Sequence, residues 1–153
     1  MSDTLQFRIA QERDLYDILR LIAQDQLGSK RETLSNPPSK AYIDAFKDMQ
    51  SQKDNNFIIA LQGDRIVGCY QFTLIYGISR GGAPRAQIES VRVDQSLRGS
   101  GIGRKMMLDA IDRAKKSNCQ LVQLTTDKTR DDAHRFYDNL DFTASHIGYK
   151  MKI

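Results

Sequence analysis

Val93-Asp94-Gln95-Ser96-Leu97-Arg98-Gly99-Ser100-Gly101-Ile102-Gly103 joins an apolar segment of strand character to a long amphipathic segment of helical character. A strand that runs through glycines into a helix has an electrostatic consequence. The first backbone N–H groups of a helix lack intrahelical partners and point outward. The aligned peptide dipoles add partial positive charge at the same end. Glycine lets the chain approach a ligand closely and take positive φ. The junction is therefore an anion site suited to a pyrophosphate, and Arg98 and Arg104 add charge beside it. Two nucleotide-binding patterns fit poorly. Gly99, Gly101 and Gly103 are spaced G-x-G-x-G and not G-x-G-x-x-G, and Lys105 is followed by Met106 where a phosphate loop has Ser or Thr. The bland alternative is a glycine-rich turn that holds nothing.

Working outward, residues 86–93 read as the strand that feeds this junction, and 101–118 as the helix that leaves it. Ile102, Met106, Ala110 and Ala114, with Gly103, Met107 and Ile111 beside them, form its apolar stripe, and Arg104, Lys105, Asp109, Asp112 and Lys116 face away. A strand over 121–125 completes a right-handed parallel crossover. Upstream, 57–61, the turn Gly63-Asp64 and 66–75 make a hairpin. Residues 77–84 are a glycine-rich loop with Arg80. Nearer the start, 6–10 alternates like a strand. Leu15, Ile18, Leu19 and Ile22 mark a helix face, and 24–39, with Gly28 and Pro37-Pro38, is a loop. Ser39 caps a further helix with Tyr42, Ile43, Phe46 and Met49 on one side. Downstream, Ala133, Phe136, Tyr137 and Leu140 line a short helix over 131–140, and 142–153 holds one or two strands around Gly148. The expected fold is α/β (α+β), a mixed central sheet of about six to seven strands flanked by about four helices. One irregularity is expected in it. Ile88, Val91 and Val93 cannot share a face at period two, and a bulge near Ser90 reconciles them.

The chain has 153 residues, 40% hydrophobic and 27% charged, which is the size and balance of one globular domain over 1–153. A net charge of +4 is too modest to argue for nucleic acid, though it suits a phosphate-rich ligand. Cys69 and Cys119 each lie in an apolar stretch and read as buried free thiols. The two histidines, His134 and His146, have no ligand spacing around them, so no metal is expected. Asp3, Arg8, Glu12 and Arg13 interrupt the start of the chain, against a signal peptide. No apolar run approaches the roughly 18 residues of a membrane span. A cytoplasmic protein without a membrane or nucleic-acid partner is the expectation.

Arg98-x-x-Gly101-x-Gly103 resembles the R/Q-x-x-G-x-G/A signature of the GNAT superfamily of N-acetyltransferases. The preceding Glu89-Ser90-Val91-Arg92-Val93 and the later Ala133-x-x-Phe136-Tyr137-x-x-x-x-Phe142 fall where that family has its own segments. The resemblance implies acetyl-CoA as acyl donor. Its pyrophosphate would meet backbone donors of Arg98, Gly99, Ser100, Gly101, Ile102 and Gly103, and its pantetheine arm would pair with Val91, Arg92 and Val93. Acyl transfer to an amine needs a base, since an alkylammonium has a pKa of about 10. It also needs donors for the oxyanion and an acid for the leaving thiolate. Glu89, where family members place a glutamate, is the candidate base through a water; it also reads as a surface strand residue or half of an ion pair. Tyr137, matching the family's tyrosine, is the candidate acid; it also reads as an amphipathic core residue. The Val91 N–H at the bulge is the candidate oxyanion donor. His134, three residues before Tyr137, either orients the acid, lines the acceptor cleft, or plays a surface or capping role. Two positions depart from the family. Arg130 replaces an asparagine that contacts the cofactor and can instead reach a phosphate, and Asp141 replaces a glycine.

Lys30, Arg31, Lys40, Arg80 and Arg85 make the divergent segments basic, which favours a small amine acceptor that also carries an anionic group. The stretch from Leu124 to Tyr137, with Ser145-His146, looks similar to aminoalkylphosphonate acetyltransferases and points the same way. Two other readings stay open: an acyl-CoA-binding sensor or interaction module without catalysis, and a protein-lysine acetyltransferase. The resemblance also implies that two copies can pair as a homodimer.

Overall fold

The computed structural model describes residues 4–153. Its elements are β1 (Leu5–Ile9), α1 (Leu15–Ala23), α2 (Gly28–Arg31), α3 (Lys40–Gln50), β2 (Asn55–Gln62), β3 (Arg65–Ile75), β4 (Arg85–Val93), α4 (Ile102–Lys116), β5 (Leu121–Leu124) and α5 (Asp131–Asp138). The strands lie in the sheet in chain order. The first three pairings are antiparallel. α4 crosses over between β4 and β5, and the sheet is mixed. Two compact units are present, one running to Gln123 and one from Leu124 to Ile153. No helix among the described residues is long and apolar enough to cross a membrane.

In the first unit, hydrophobic periodicity decides which face each helix covers. Leu15, Ile18 and Leu19 of α1 and Phe46 of α3 pack with Ile59 and Cys69 on one face of the sheet. Residues of opposite parity face α4, where Met106, Met107 and Ala110 are fully buried. Each methionine contributes roughly 1.5–3 kcal/mol relative to exposure. The approach of α4 is set by Gly68, where a Cβ would sit 2.6 Å from Met106 Sδ and 3.0 Å from the Arg92 carbonyl oxygen. On the same face the buried Tyr70 hydroxyl donates to Asp109, which also accepts from Arg113 Nε at 2.8 Å. At the sheet edge, Arg8 grips the buried Asp14 with both terminal nitrogens, at 2.7 and 3.0 Å, and ties β1 to the turn before α1.

Several expectations need correction. Among the described residues the sheet has five strands, because 142–153 forms none. Ile147, Tyr149, Met151 and Ile153 do alternate, but they are 69–118% exposed. Alternation says which side chains a strand would bury; a strand also needs a neighbour to pair with. The α-helices among the described residues number five, because α2, only four residues long, lies within 24–39. Its first residue, Gly28, is buried so close to α1 that a Cβ would meet the Ile22 carbonyl oxygen at 2.0 Å. A single turn is too short for periodicity to reveal. Ser39 is the N-cap of α3 without a side-chain cap bond. Instead its carbonyl accepts the N–H groups of Tyr42 at 3.0 Å and Ile43 at 3.2 Å. Cys119 is half-buried and not buried, and Asp109 turns toward Tyr70 and not to solvent.

Candidate functional site

The bulge lies where parity requires it. Glu89 pairs with Gln71 and Arg92 with Cys69, so Ser90 and Val91 together oppose Tyr70. Ser90 takes φ +52°, a left-handed conformation rare for a side chain that is not Gly, Asn or Asp. An extra residue breaks the ladder and turns the strand. Before it, Arg85, Gln87 and Glu89 share one face of β4; after it, Arg92 returns to that face beside Cys69. Arg92 is held there by Asp25, its Nη2 3.0 Å from Oδ2. Glu89 itself is exposed.

The loop after β4 is built in two parts. Its first part is anchored. Asp94, only 4% exposed, accepts from Ser96 N–H at 3.0 Å and Ser96 Oγ at 2.7 Å. It also accepts from Arg20 Nη1 and Arg65 Nη2, each at 3.0 Å. The Ser96 hydroxyl, the two guanidinium groups and the Ser96 amide hold its carboxyl well below the usual carboxylate range, against the cost of burial. The second part is open. Arg98 through Gly101 are exposed, and Gly99 and Gly101 take φ +80° and +85°. A Cβ built on either glycine meets nothing within 4 Å, so neither position is packed against the protein. Gly101 is the N-cap of α4, whose first intrahelical bond runs from Lys105 N–H to the Gly101 carbonyl at 3.2 Å. The amides of Ile102 and Gly103 therefore stand at the helix start. Ser100 differs: its N–H turns back to the Leu97 carbonyl at 3.3 Å. Ile102 is buried and anchors the helix, while Arg104 is exposed.

A cleft of about 450 Å³ opens on the face that Glu89 shares. Leu15, Ile18, Leu19 and Ile22 of α1 form one wall, and Gln71, the partner of Glu89 across β3 and β4, lies in its floor. Gln71 Nε2 donates to Asn55 Oδ1 at 2.8 Å. The charged residues of its lining are Glu32 and Asp48, which attract a cation.

In the second unit, Tyr137 sits on α5, half-buried between edge-on Phe136 at 5.1 Å and Phe142 at 5.9 Å between ring centroids. His134 turns away to the preceding loop: its Nε2–H donates to the Asp127 carbonyl at 2.9 Å, which fixes the tautomer and makes it a local tie. Arg130 is the N-cap residue of α5. Asp141 has φ +62°, so the position that resembles a glycine in sequence uses the same left-handed backbone.

A family profile described as the Acetyltransferase (GNAT) family matches residues 14–142. The chain belongs to the GNAT acetyltransferase family. It is similar to a glucosamine 6-phosphate N-acetyltransferase of Trypanosoma brucei brucei, 27% identical over 86% of this chain and 92% of that protein. An aminoalkylphosphonate N-acetyltransferase of Salmonella typhimurium (strain LT2) is 24% identical over 72% of this chain and 71% of that one. A solved structure named as a transcriptional regulator from Bacillus halodurans C-125 superposes with a TM-score of 0.94 and 44% identity, over 98% of this chain and 100% of that one.

Within this GNAT fold, the glycine spacing and the parity break located the loop and the bulge. The anchors of the loop were missed. Asp94-x-Ser96 has the spacing of a side-chain cap on a turn, a signal that was present. Arg20 lies 74 residues from Asp94, and nothing local reveals that pairing.

Proposed function

We propose that this GNAT chain is an acetyl-CoA-dependent N-acetyltransferase that acetylates a primary amine of a small molecule by direct transfer in a ternary complex. The observation that carries the reading is the open loop over residues 98–103, with its two left-handed glycines at the start of α4 beside a bulged strand. Backbone donors of this loop would hold the donor's pyrophosphate, with the Arg98 and Arg104 side chains adding charge. Val91, Arg92 and Val93 would line its pantetheine arm. The family match runs across both compact units, which supports reading 1–153 as one catalytic domain.

The chemistry then runs as follows. Glu89, through a water, takes a proton from the acceptor's ammonium group. The freed amine nitrogen attacks the thioester carbonyl carbon, and the oxyanion is met by the Val91 N–H at the bulge. The carbon–sulfur bond breaks as the departing thiolate takes a proton from Tyr137, and the tyrosinate is reprotonated by the second proton that the acylated nitrogen releases. The products are an N-acetylated amine and coenzyme A, with no acyl-enzyme between them. No metal enters this scheme.

The acceptor in this reading also carries an anionic group. Two observations support it: the phosphate and phosphonate in the names of two relatives, and Arg85. Arg85 opposes Ile75 and Glu89 opposes Gln71 on the same sheet face. Four residues separate them, about 13 Å at roughly 3.3 Å per residue. The cleft acids Glu32 and Asp48 would draw in the amine end. A homodimer is part of the proposal, supported by the exposed apolar side chains of 147–153, and so is a cytoplasmic location.

A second reading, an acyl-CoA sensor without catalysis, is favoured by the name of the relative at 44% identity. Calorimetry with coenzyme A, followed by thiol release from acetyl-CoA over a panel of amines, separates the two. Binding with amine-dependent thiol release that Tyr137→Phe suppresses supports the enzyme. Binding without release by any amine supports the sensor. Preference for polyamines over phosphorylated amines rejects the anionic acceptor, and no binding of coenzyme A rejects both readings.

A further inference from the structure

Three contacts leave the last turns of α1 and the two residues that follow it for the segment that carries the proposed cofactor site. Arg20 Nη1 donates to Asp94 Oδ2 at 3.0 Å. The Gln95 N–H donates to Gln24 Oε1 at 2.9 Å. Asp25 Oδ2 lies 3.0 Å from Arg92 Nη2. Asp94 is the centre of this bracket. Its own N–H donates to the Val67 carbonyl at 2.8 Å, so backbone and side chain together tie it to β3, α1 and the turn that follows.

A carboxylate at 4% exposure is a costly way to hold a loop. Stability alone does not call for it, since an apolar group of similar volume often does as well. What the carboxylate supplies is direction. It fixes the Ser96 amide and hydroxyl, and two guanidinium groups fix the carboxylate. Immediately beyond lie the exposed residues 98–101, tied back to this turn by Ser100, whose N–H and hydroxyl both donate to the Leu97 carbonyl. A loop already ordered does not charge its ordering to the ligand that binds it.

We propose that Asp94, with Arg20 and Arg65 as its charged partners, is the positioning residue of the cofactor site: it holds the turn at 95–97 so that the amides at the start of α4 already stand ready for a diphosphate before one arrives. The inference rests on the acetyl-CoA reading above. It extends to the acceptor as well, because α1 also walls the cleft beside Glu89, so one helix touches both substrates' sites.

The test is coenzyme A affinity by calorimetry, and the split of KM against kcat, at a temperature well below the melting point of every variant. Asp94→Asn should raise Kd for coenzyme A and KM for acetyl-CoA by tenfold or more and leave kcat at saturation within threefold. Asp94→Glu, which keeps the charge, should recover part of that affinity. Arg20→Gln should show a smaller rise, and the double variant should bind no worse than Asp94→Asn alone, because the two act as one unit. If Asp94→Asn does not fold, Ser96→Ala removes the 2.7 Å bond but leaves the carboxylate its two guanidinium partners, and should raise Kd at least threefold. Variants that melt earlier but bind coenzyme A like the wild type would overturn the inference while leaving the function intact. A wild-type protein with no affinity for coenzyme A removes the function first, and the inference with it.

Discussion

Replacing Gly101 or Gly99 by alanine isolates the loop conformation from everything else. Both residues sit at left-handed φ, +85° and +80°, and an added methyl meets no atom within 4 Å at either. The penalty is therefore conformational and not steric. A left-handed alanine costs roughly 1–2 kcal/mol. Loss of glycine's freedom in the unfolded chain offsets about 0.4–1 kcal/mol of it. The melting temperature should fall by only about 2–4 °C. Affinity should suffer more. If the free loop relaxes away from the left-handed conformation and must return to it to grip a diphosphate, the full strain falls on binding, a factor of about 5–30 in Kd. Gly63 is the control. It has φ +59° and an equally open Cβ, but it lies in the turn between β2 and β3. Gly63→Ala should lose similar stability and no affinity. Calorimetric titration of all three variants with coenzyme A decides. If both loop variants bind like the wild type, or Gly63→Ala weakens binding as much, the loop is not where the diphosphate sits.

Glu89→Gln and Tyr137→Phe should each lower kcat by about 10²-fold and leave coenzyme A affinity within twofold; loss of binding instead of turnover would make either residue structural. Acid unfolding should report the two buried carboxylates. Ser96 is the largest influence holding Asp94 low, while at Asp14 the bonds from Arg8 and the Gln11 amide outweigh burial, so both sit below their ordinary range when folded. A depressed carboxylate stabilises fully above its unfolded pKa of about 3.9 and loses that stabilisation as pH falls toward the folded value. Melting curves between pH 6 and pH 2 should therefore fall less steeply for Asp94→Asn than for the wild type, and parallel slopes would contradict this. Burial pushes the Cys69 thiol up to about 12. At pH 8 an alkylating reagent should therefore reach half-buried Cys119 first and Cys69 only on unfolding. Gly68→Ala should cost about 1–3 kcal/mol by overpacking against Met106, read as a lower melting temperature; an unchanged value would mean that α4 gives way freely.

The sequence was most legible where a physical constraint is local. The strand-to-helix junction turns through left-handed backbone at Gly99 and Gly101, so its glycines stand out without any partner being known. The bulge was legible for a similar reason: Ile88 and Val91 violate period two within a single strand, and Ser90 absorbs the extra step at φ +52°. The stripe from Ile102 to Ala114 was read correctly because helical burial repeats along one element. The same logic misread 142–153. Its alternation is as clean as that of any strand in the chain, yet the alternation of Ile147, Tyr149, Met151 and Ile153 carries no information about which edge, if any, they pair with.

Asp94 marks the boundary between these cases. Half of its role is local: a carboxylate two residues before Ser96 can accept that amide, and the motif could have been read from the chain. The other half depends on Arg20 and Arg65, delivered from 74 and 29 residues away by two different elements. A buried acid is stable only with such partners, so the fold must form before the loop can be held. That ordering has a consequence for the site. In the proposed function the loop's amides would become a diphosphate receptor only once α1 and β3 are packed, and any change that loosens α1 should then weaken coenzyme A binding before it slows the chemistry proposed for Glu89.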